Sequence, residues 1–210
     1  MNIVVCVKYV PDATADRRFE SDNTVDRVGV DGLLSELDEY AVEQALQLKE
    51  KAGDDTEVTA VCIGPEKAVD AVRKALQMGA DKGVHVIDDA IAGSDYAATS
   101  LVLAKAVEKL SNDGGSPDIV MCGMASTDAS GGVVPAMLAE RLGLPQVTLA
   151  AVVETQATRS GSSATTTRPP RSSAPRCRSS SRSPTSPVRP ATRRSRASWP
   201  PRRSRWRRGR

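Results

Sequence analysis

The chain has 210 residues and a formal net charge of +3, but that balance hides two unlike parts. Residues 1–156 hold 13 of the 29 Lys and Arg and all 26 Asp and Glu, a net charge of −13, whereas the 54 residues from Ala157 hold 16 Arg and no acid. An acidic main part of this length suits one domain with a sizeable core and argues against nucleic acid as its partner, and no run approaches the roughly 20 apolar residues of a membrane span.

The predicted elements alternate. Ile3-Val4-Val5-Cys6-Val7 is apolar at every position, which predicts a strand buried on both faces. No cationic leader precedes it, so a cytoplasmic protein is expected. Residues 11–31 are charged and non-periodic, an excursion over the surface. Tyr40, Ala41, Ala45, Leu46 and Leu48 recur at helical spacing within 38–51, behind acids that suit a helix start. A second strand is expected at 57–63, closed by Gly64-Pro65, and a helix through Ala68, Val72 and Leu76 to Gly79. A third strand follows at 83–87, a long helix at 96–110, and a turn at Asn112-Asp113-Gly114-Gly115. The fourth strand spans 118–122, and a last helix 133–142. Continuous apolar strands separated by helices imply an α/β fold, a parallel sheet covered on both faces in a three-layer, Rossmann-like arrangement.

Beyond Gln156 the alphabet changes. Of residues 157–210, 13 are Ser and 8 are Pro, and Lys, Asp, Glu, Leu, Ile, Asn and Gln are absent. Except for Val188, every residue belongs to the set whose codons carry C or G in the middle position. A GC-rich gene read one frame out produces this alphabet, so 157–210 is expected to be an out-of-frame, disordered tail with too little apolar surface to offset ordering. The rival readings are a genuine Arg/Ser-rich segment or a basic arm, with Trp199 and Trp206 as stacking platforms for nucleic acid.

The chemistry-bearing residues are few. Cys6, Cys62 and Cys122 sit in apolar strands without paired spacing and read as buried thiols, with neither metal nor disulfide; Cys177 lies in the tail. His85, the one histidine, reads as a core imidazole, and no nucleophile is spaced to form a dyad with it. In sheets of this type ligands lie at the carboxyl ends of the strands. The distinctive strand end is Gly123-Met124-Ala125-Ser126-Thr127-Asp128-Ala129-Ser130-Gly131-Gly132, with three flexible-backbone positions, three hydroxyls and a helix start. It lacks a phosphate-binding Lys and matches no standard phosphate motif, so a nucleotide-phosphate cradle and an ordinary capping loop both remain open. Asp128 reads either as an orienting carboxylate or as the cap of the next helix, and Lys8 either as a phosphate or flavin contact or as a solvated strand end.

Four segments carry a resemblance: 3–12 (IVVCVKYVPD), 37–46 (LDEYAVEQAL), 73–81 (RKALQMGAD) and 126–146, which includes STDASGG and PAMLAERLGLPQ. In order and spacing they resemble the beta subunit of bacterial electron transfer flavoproteins across 1–156. The resemblance implies an adenine nucleotide alpha-hydrolase-like fold and a heterodimer with an alpha subunit that holds most of the FAD. It implies electron carriage from acyl-CoA and related dehydrogenases to a membrane quinone oxidoreductase, with no catalytic side chain on this subunit and a structural AMP. Carried over by position, the AMP pocket comprises Cys6, Ser35, Glu36, Leu37, Asp38, Ile63, Gly123, Met124, Ala125, Ser126, Thr127, Asp128, Ala129, Ser130, Gly131, Gly132, Val133 and Val134. Two departures stand out. The family's C-terminal Lys-rich stretch, dehydrogenase-anchoring loop and alpha-embracing arm have no counterpart beyond 156, and Ala13 falls where the family has an aromatic near the flavin. A chain with this tail is expected to keep nucleotide binding and to lose partner docking. A stand-alone ATP- or AMP-binding protein of the same fold is the alternative.

Overall fold

The computed structural model describes residues 1–16, 18–27, 29–53, 55–150 and 152–156, with the backbone of 164–167. Strand β1 (Asn2–Val7) is central. It pairs in parallel with β4 (Glu57–Ile63) on one side and β6 (Ile119–Cys122) on the other, in registers that set Cys6 opposite Val61 and Cys122. Strand β5 (Lys82–Val86) pairs with β4, giving the order β5-β4-β1-β6.

The unbroken apolar run of β1 has its reason in the two layers around it. Ile3, Val5 and Val7 face α1 (Glu36–Ala52) and α2 (Val69–Met78), where Ala41, Val42, Ala45, Leu48, Ala71, Val72 and Ala75 complete one buried cluster. Val4 and Cys6 face the other way, onto Leu103, Ala104 and Val107 of α3 (Tyr96–Gly114) and Leu138 of α4 (Val134–Leu142). The many alanines on α1 and α2 let those helices approach the sheet closely. The result is the expected three-layer, doubly wound α/β arrangement. Chain order runs outward from β1 to β4 and β5, then returns through α3 to β6. The order therefore reverses between β1 and β6, and in sheets of this kind the carboxyl ends flanking such a switch are where the ligand crevice lies.

Three local features depart from the periodicity. Residues 112–114 continue α3 instead of turning; the Ser111 hydroxyl donates to the Val107 carbonyl (2.9 Å), and the helix ends at Gly115 with φ +93°. The excursion after β1 is closed at its base by an antiparallel pair, β2 (Tyr9–Pro11) with β3 (Gly32–Leu34), and pinched by a Phe19–Val25 bridge, so it forms a strap. Strands β7 (Val153–Gln156) and β8 (Ala164–Thr167) pair antiparallel, and Val153 packs against the α1-side cluster. Apart from the backbone of β8, the tail expectations for 157–210, including those on Cys177, Trp199 and Trp206, lie outside the described residues. Among the described residues no helix is long and apolar enough to cross a membrane.

Candidate functional site

Asp38 organises the crevice. It stands in the first turn of α1, 6% exposed, and its Oδ2 accepts the Lys8 amide (2.9 Å), the first residue beyond β1. The amide of Gly123, the first residue beyond β6, also bonds to this carboxylate. One side chain thus ties the two strand ends on either side of the topological switch. Burial pushes its pKa up to about 7, against the opposing pull of the Lys8 and Gly123 amides. Glycine is required at 123 by this close approach, because a β-carbon there would run into the Asp38 carboxylate and stand 2.9 Å from the Leu37 carbonyl oxygen.

Ser35 precedes α1 and is fully buried. Its amide donates to the Lys8 carbonyl (2.9 Å), while its hydroxyl has no hydrogen-bond partner among the described residues and does not cap the helix. An orphaned buried hydroxyl normally costs about 1–3 kcal/mol, so its presence at a strand-end crevice points to a polar group that completes it.

Asp128 is the third fixed point. Its side chain is 2% exposed and pairs with Lys8 Nζ (2.9 Å) and with the guanidinium of Arg27, which reaches in from the strap. Burial alone would raise this carboxyl, but the bonds from Arg27, Lys8 and Ser126 outweigh it and hold the pKa well below the usual carboxylate range. Lys8 Nζ also reaches Ser126 Oγ (3.4 Å). Asp128 therefore anchors Lys8 and Arg27 and does not cap α4. Lys8 also reaches the loop, with its side chain still 41% exposed. A loop without its own lysine has two cations supplied from outside it, one from β1's end and one from the strap. Periodicity gave no sign of Arg27, which lies 101 positions from its partner in the sequence.

The loop then delivers its backbone to the start of α4. Ser130 donates its amide to the Ser126 carbonyl (2.9 Å) and adopts φ +52°, an unusual conformation for a residue with a side chain. Gly132 follows at φ +62°, and Val133 enters α4 with no side-chain cap on the helix. The first amides of α4 thus lack a side-chain cap, and an uncapped helix start is a common place for an anion.

The structure gathers most of the expected residues. Cys6, Ile63 and Val134 meet in the cluster on the α3/α4 side, the apolar wall of the crevice. Ser35, Asp38, Gly123, Ser126 and Asp128 form its polar floor, and Ala125 and Thr127 are half-buried in the same loop. Met124, Ala129, Ser130, Gly132 and Val133 are exposed along the loop's outer side, and Gly131 is half-buried. Glu36 is exposed, and with Leu37 it lines a separate groove of about 550 Å³ on the outer face of α1, beside Tyr40 and Met78. That groove offers no buried polar group. Ala13 is exposed on the strap.

Cys6 and Cys62 are buried as expected, whereas Cys122 is half-buried and His85 lies half-buried on the edge strand β5 instead of in the core. The Cys122 thiol hydrogen-bonds to Cys6, and this, with burial, raises the Cys6 pKa well above its ordinary value; burial pushes Cys62 up to about 11. Protonated thiols are poor nucleophiles and poor metal ligands. His85 donates from Nε2 to the Gly64 carbonyl (3.0 Å), which satisfies it at the sheet edge.

Fold and site together define a doubly wound α/β protein with a polar ligand crevice at the topological switch. The electron transfer flavoprotein domain family matches residues 22–190, and the chain belongs to that family. It is 48% identical over 151 residues to the electron transfer flavoprotein subunit beta of Mycobacterium leprae (strain TN), covering 70% of this chain and 55% of the relative. Protein FixA of Sinorhizobium fredii is 42% identical over 153 residues (73% and 53%), and the subunit beta of Megasphaera elsdenii 40% over 152 (71% and 56%). The chain spans about half the length of the curated relatives it matches.

Proposed function

We propose that the chain is the beta subunit of a heterodimeric electron transfer flavoprotein and that its crevice binds AMP as a structural ligand. The observation that carries the nucleotide assignment is the strand-end constellation: a buried Ser35 hydroxyl without a partner, an uncapped α4 start, and Lys8 and Arg27 held beside it by Asp128. Cys6, Ile63 and Val134 offer a flat apolar wall for adenine, and the Ser35–Asp38 backbone can read its edge. The amides of the Gly131–Val134 turn receive a phosphoryl group. The subunit, in this reading, binds and positions while a flavin supplies the redox step.

In this reading the alpha subunit provides most of the FAD site, and the beta subunit closes one side of it. Acyl-CoA and related dehydrogenases donate electrons, a membrane quinone oxidoreductase accepts them, and the heterodimer works in the cytoplasm. The two halves of the proposal separate experimentally. In this reading nucleotide binding belongs to 1–156 and is expected of the chain as it stands, whereas docking depends on C-terminal family regions that are not readable in the Arg/Ser-rich segment after 156. The test is acid extraction of the purified chain, alone and coexpressed with its alpha subunit, with chromatography of the released nucleotides. AMP from the chain and AMP plus FAD from the complex are expected. Extracts free of adenine nucleotide, with no uptake of added AMP in calorimetry, would sink the site assignment.

A further inference from the structure

Two of the three strand cysteines face each other at the carboxyl ends of neighbouring strands. The β1–β6 register sets Cys6 directly opposite Cys122, and both side chains belong to the packing on the α3/α4 side of the sheet. Cys62 does not join them: it stands opposite Val7 and packs on the other face, against α1 and α2. Directly paired residues of adjacent strands lie about 4.8 Å apart, inside the roughly 4.4–6.8 Å between α-carbons that a disulfide spans. Both thiols are free, and the two are in hydrogen-bond contact. We propose that Cys6 and Cys122 are a reversible dithiol–disulfide pair, a modification site that closes with a peroxide as the oxidant.

Position divides the roles. Cys122 is half-buried and is the last residue of the edge strand β6, so it is the thiol that an oxidant in solvent reaches. Cys6 is buried in the central strand, where the Cys122 contact and burial keep its thiol protonated. The Cys122 sulfur attacks one oxygen of hydrogen peroxide, the O–O bond breaks, and the thiol proton leaves with the released hydroxide as water. The Cys6 sulfur then displaces hydroxide from the Cys122 sulfenic acid, the S–S bond forms, and the Cys6 proton completes a second water. Two thiols give up two electrons, and one peroxide takes them. A bridge between directly paired strand residues is strained, and strained disulfides are the readily reduced ones, so a small-molecule thiol reopens it. No nucleotide takes part, and the inference stands apart from the ligand proposed above.

The test is peroxide treatment of the full chain carrying Cys177→Ser, which removes the tail thiol, followed by alkylation, tryptic digestion without reductant and peptide mass spectrometry. A linked pair of peptides joining Cys6 to Cys122 is expected, with Cys62 recovered as an alkylated thiol and the link lost on adding dithiothreitol. Adding Cys6→Ser should halt the reaction at the Cys122 sulfenic acid, which dimedone labels. Adding Cys122→Ser should leave Cys6 alkylated and unoxidised. Full alkylation of both thiols in the peroxide-treated parent overturns the proposal. So does a parent in which Cys122 is labelled or over-oxidised without the link, and so does any link through Cys62 or between two chains.

Discussion

Asp38 shows how a single side chain can join two strand ends that meet only in the folded state. Its carboxylate is held by the Lys8 and Gly123 amides, yet burial keeps its pKa at about 7, above the unfolded value of about 3.9. For an acid with a raised folded pKa, the stabilising contribution is fully present below the unfolded value and is lost as pH rises through the folded one. Asp38→Asn removes this titration and resembles the protonated acid. Relative to the variant, the wild type should lose on the order of a few kcal/mol of stability as pH rises from 4 to 8, the loss levelling off only above the folded pKa. Asp128 acts in the opposite sense, stabilising above its unfolded pKa and losing that contribution as pH falls below it. It is common to both proteins and cancels in the difference. Urea midpoints across that range measure the effect, and curves that stay parallel would refute the raised pKa.

The elements around the crevice are joined at points rather than along seams. The strap between β2 and β3 meets the loop before α4 through Arg27 and Asp128, while Lys8 holds the same carboxylate from β1's end. The Arg27 side chain is 38% exposed, so solvent screens its charge and the pair contributes about 1 kcal/mol or less to global stability. Its effect is local. Arg27→Ala should leave the unfolding midpoint nearly unchanged and raise amide hydrogen exchange severalfold in 12–31 and 126–130. Unchanged exchange in the strap would mean that the β2–β3 pair alone fixes its position. Asp128 was legible as a candidate orienting or capping group, but its ion-pair partners were not. Charge patterning along a sequence identifies pairs a few positions apart, and these lie 101 and 120 apart.

At the scale of the molecule, an acidic α/β unit is followed by a segment of entirely different composition. The composition predicts that the native product carries in-frame sequence beyond 156. Intact-mass measurement of the endogenous protein should therefore depart from 22.3 kDa and reveal Lys- and Glu-containing C-terminal peptides. A mass equal to that of this chain would instead establish the Arg/Ser segment as real. Weak docking to the alpha subunit, with nucleotide binding retained, would then be the expected behaviour.

By itself the sequence determined the layer architecture. A strand that must bury both faces has to be apolar throughout, as Ile3 to Val7 is, and helices that cover it must repeat every three to four residues, as Ala41, Ala45 and Leu48 do. It also marked the loop after β6, since glycines and hydroxyls ahead of a helix are unusual in a core-forming segment. The end of α3 was misread because Asn112-Asp113-Gly114 is locally a turn signal, which the Ser111–Val107 bond and the helix already formed before it override. Only the tertiary structure decided which strand ends face each other, that Asp38 ties them, and that Lys8 and Arg27 converge on Asp128. These are contacts between residues 30 to 120 positions apart. No local pattern encodes them, because the sheet order that brings them together is set by burial of the whole core.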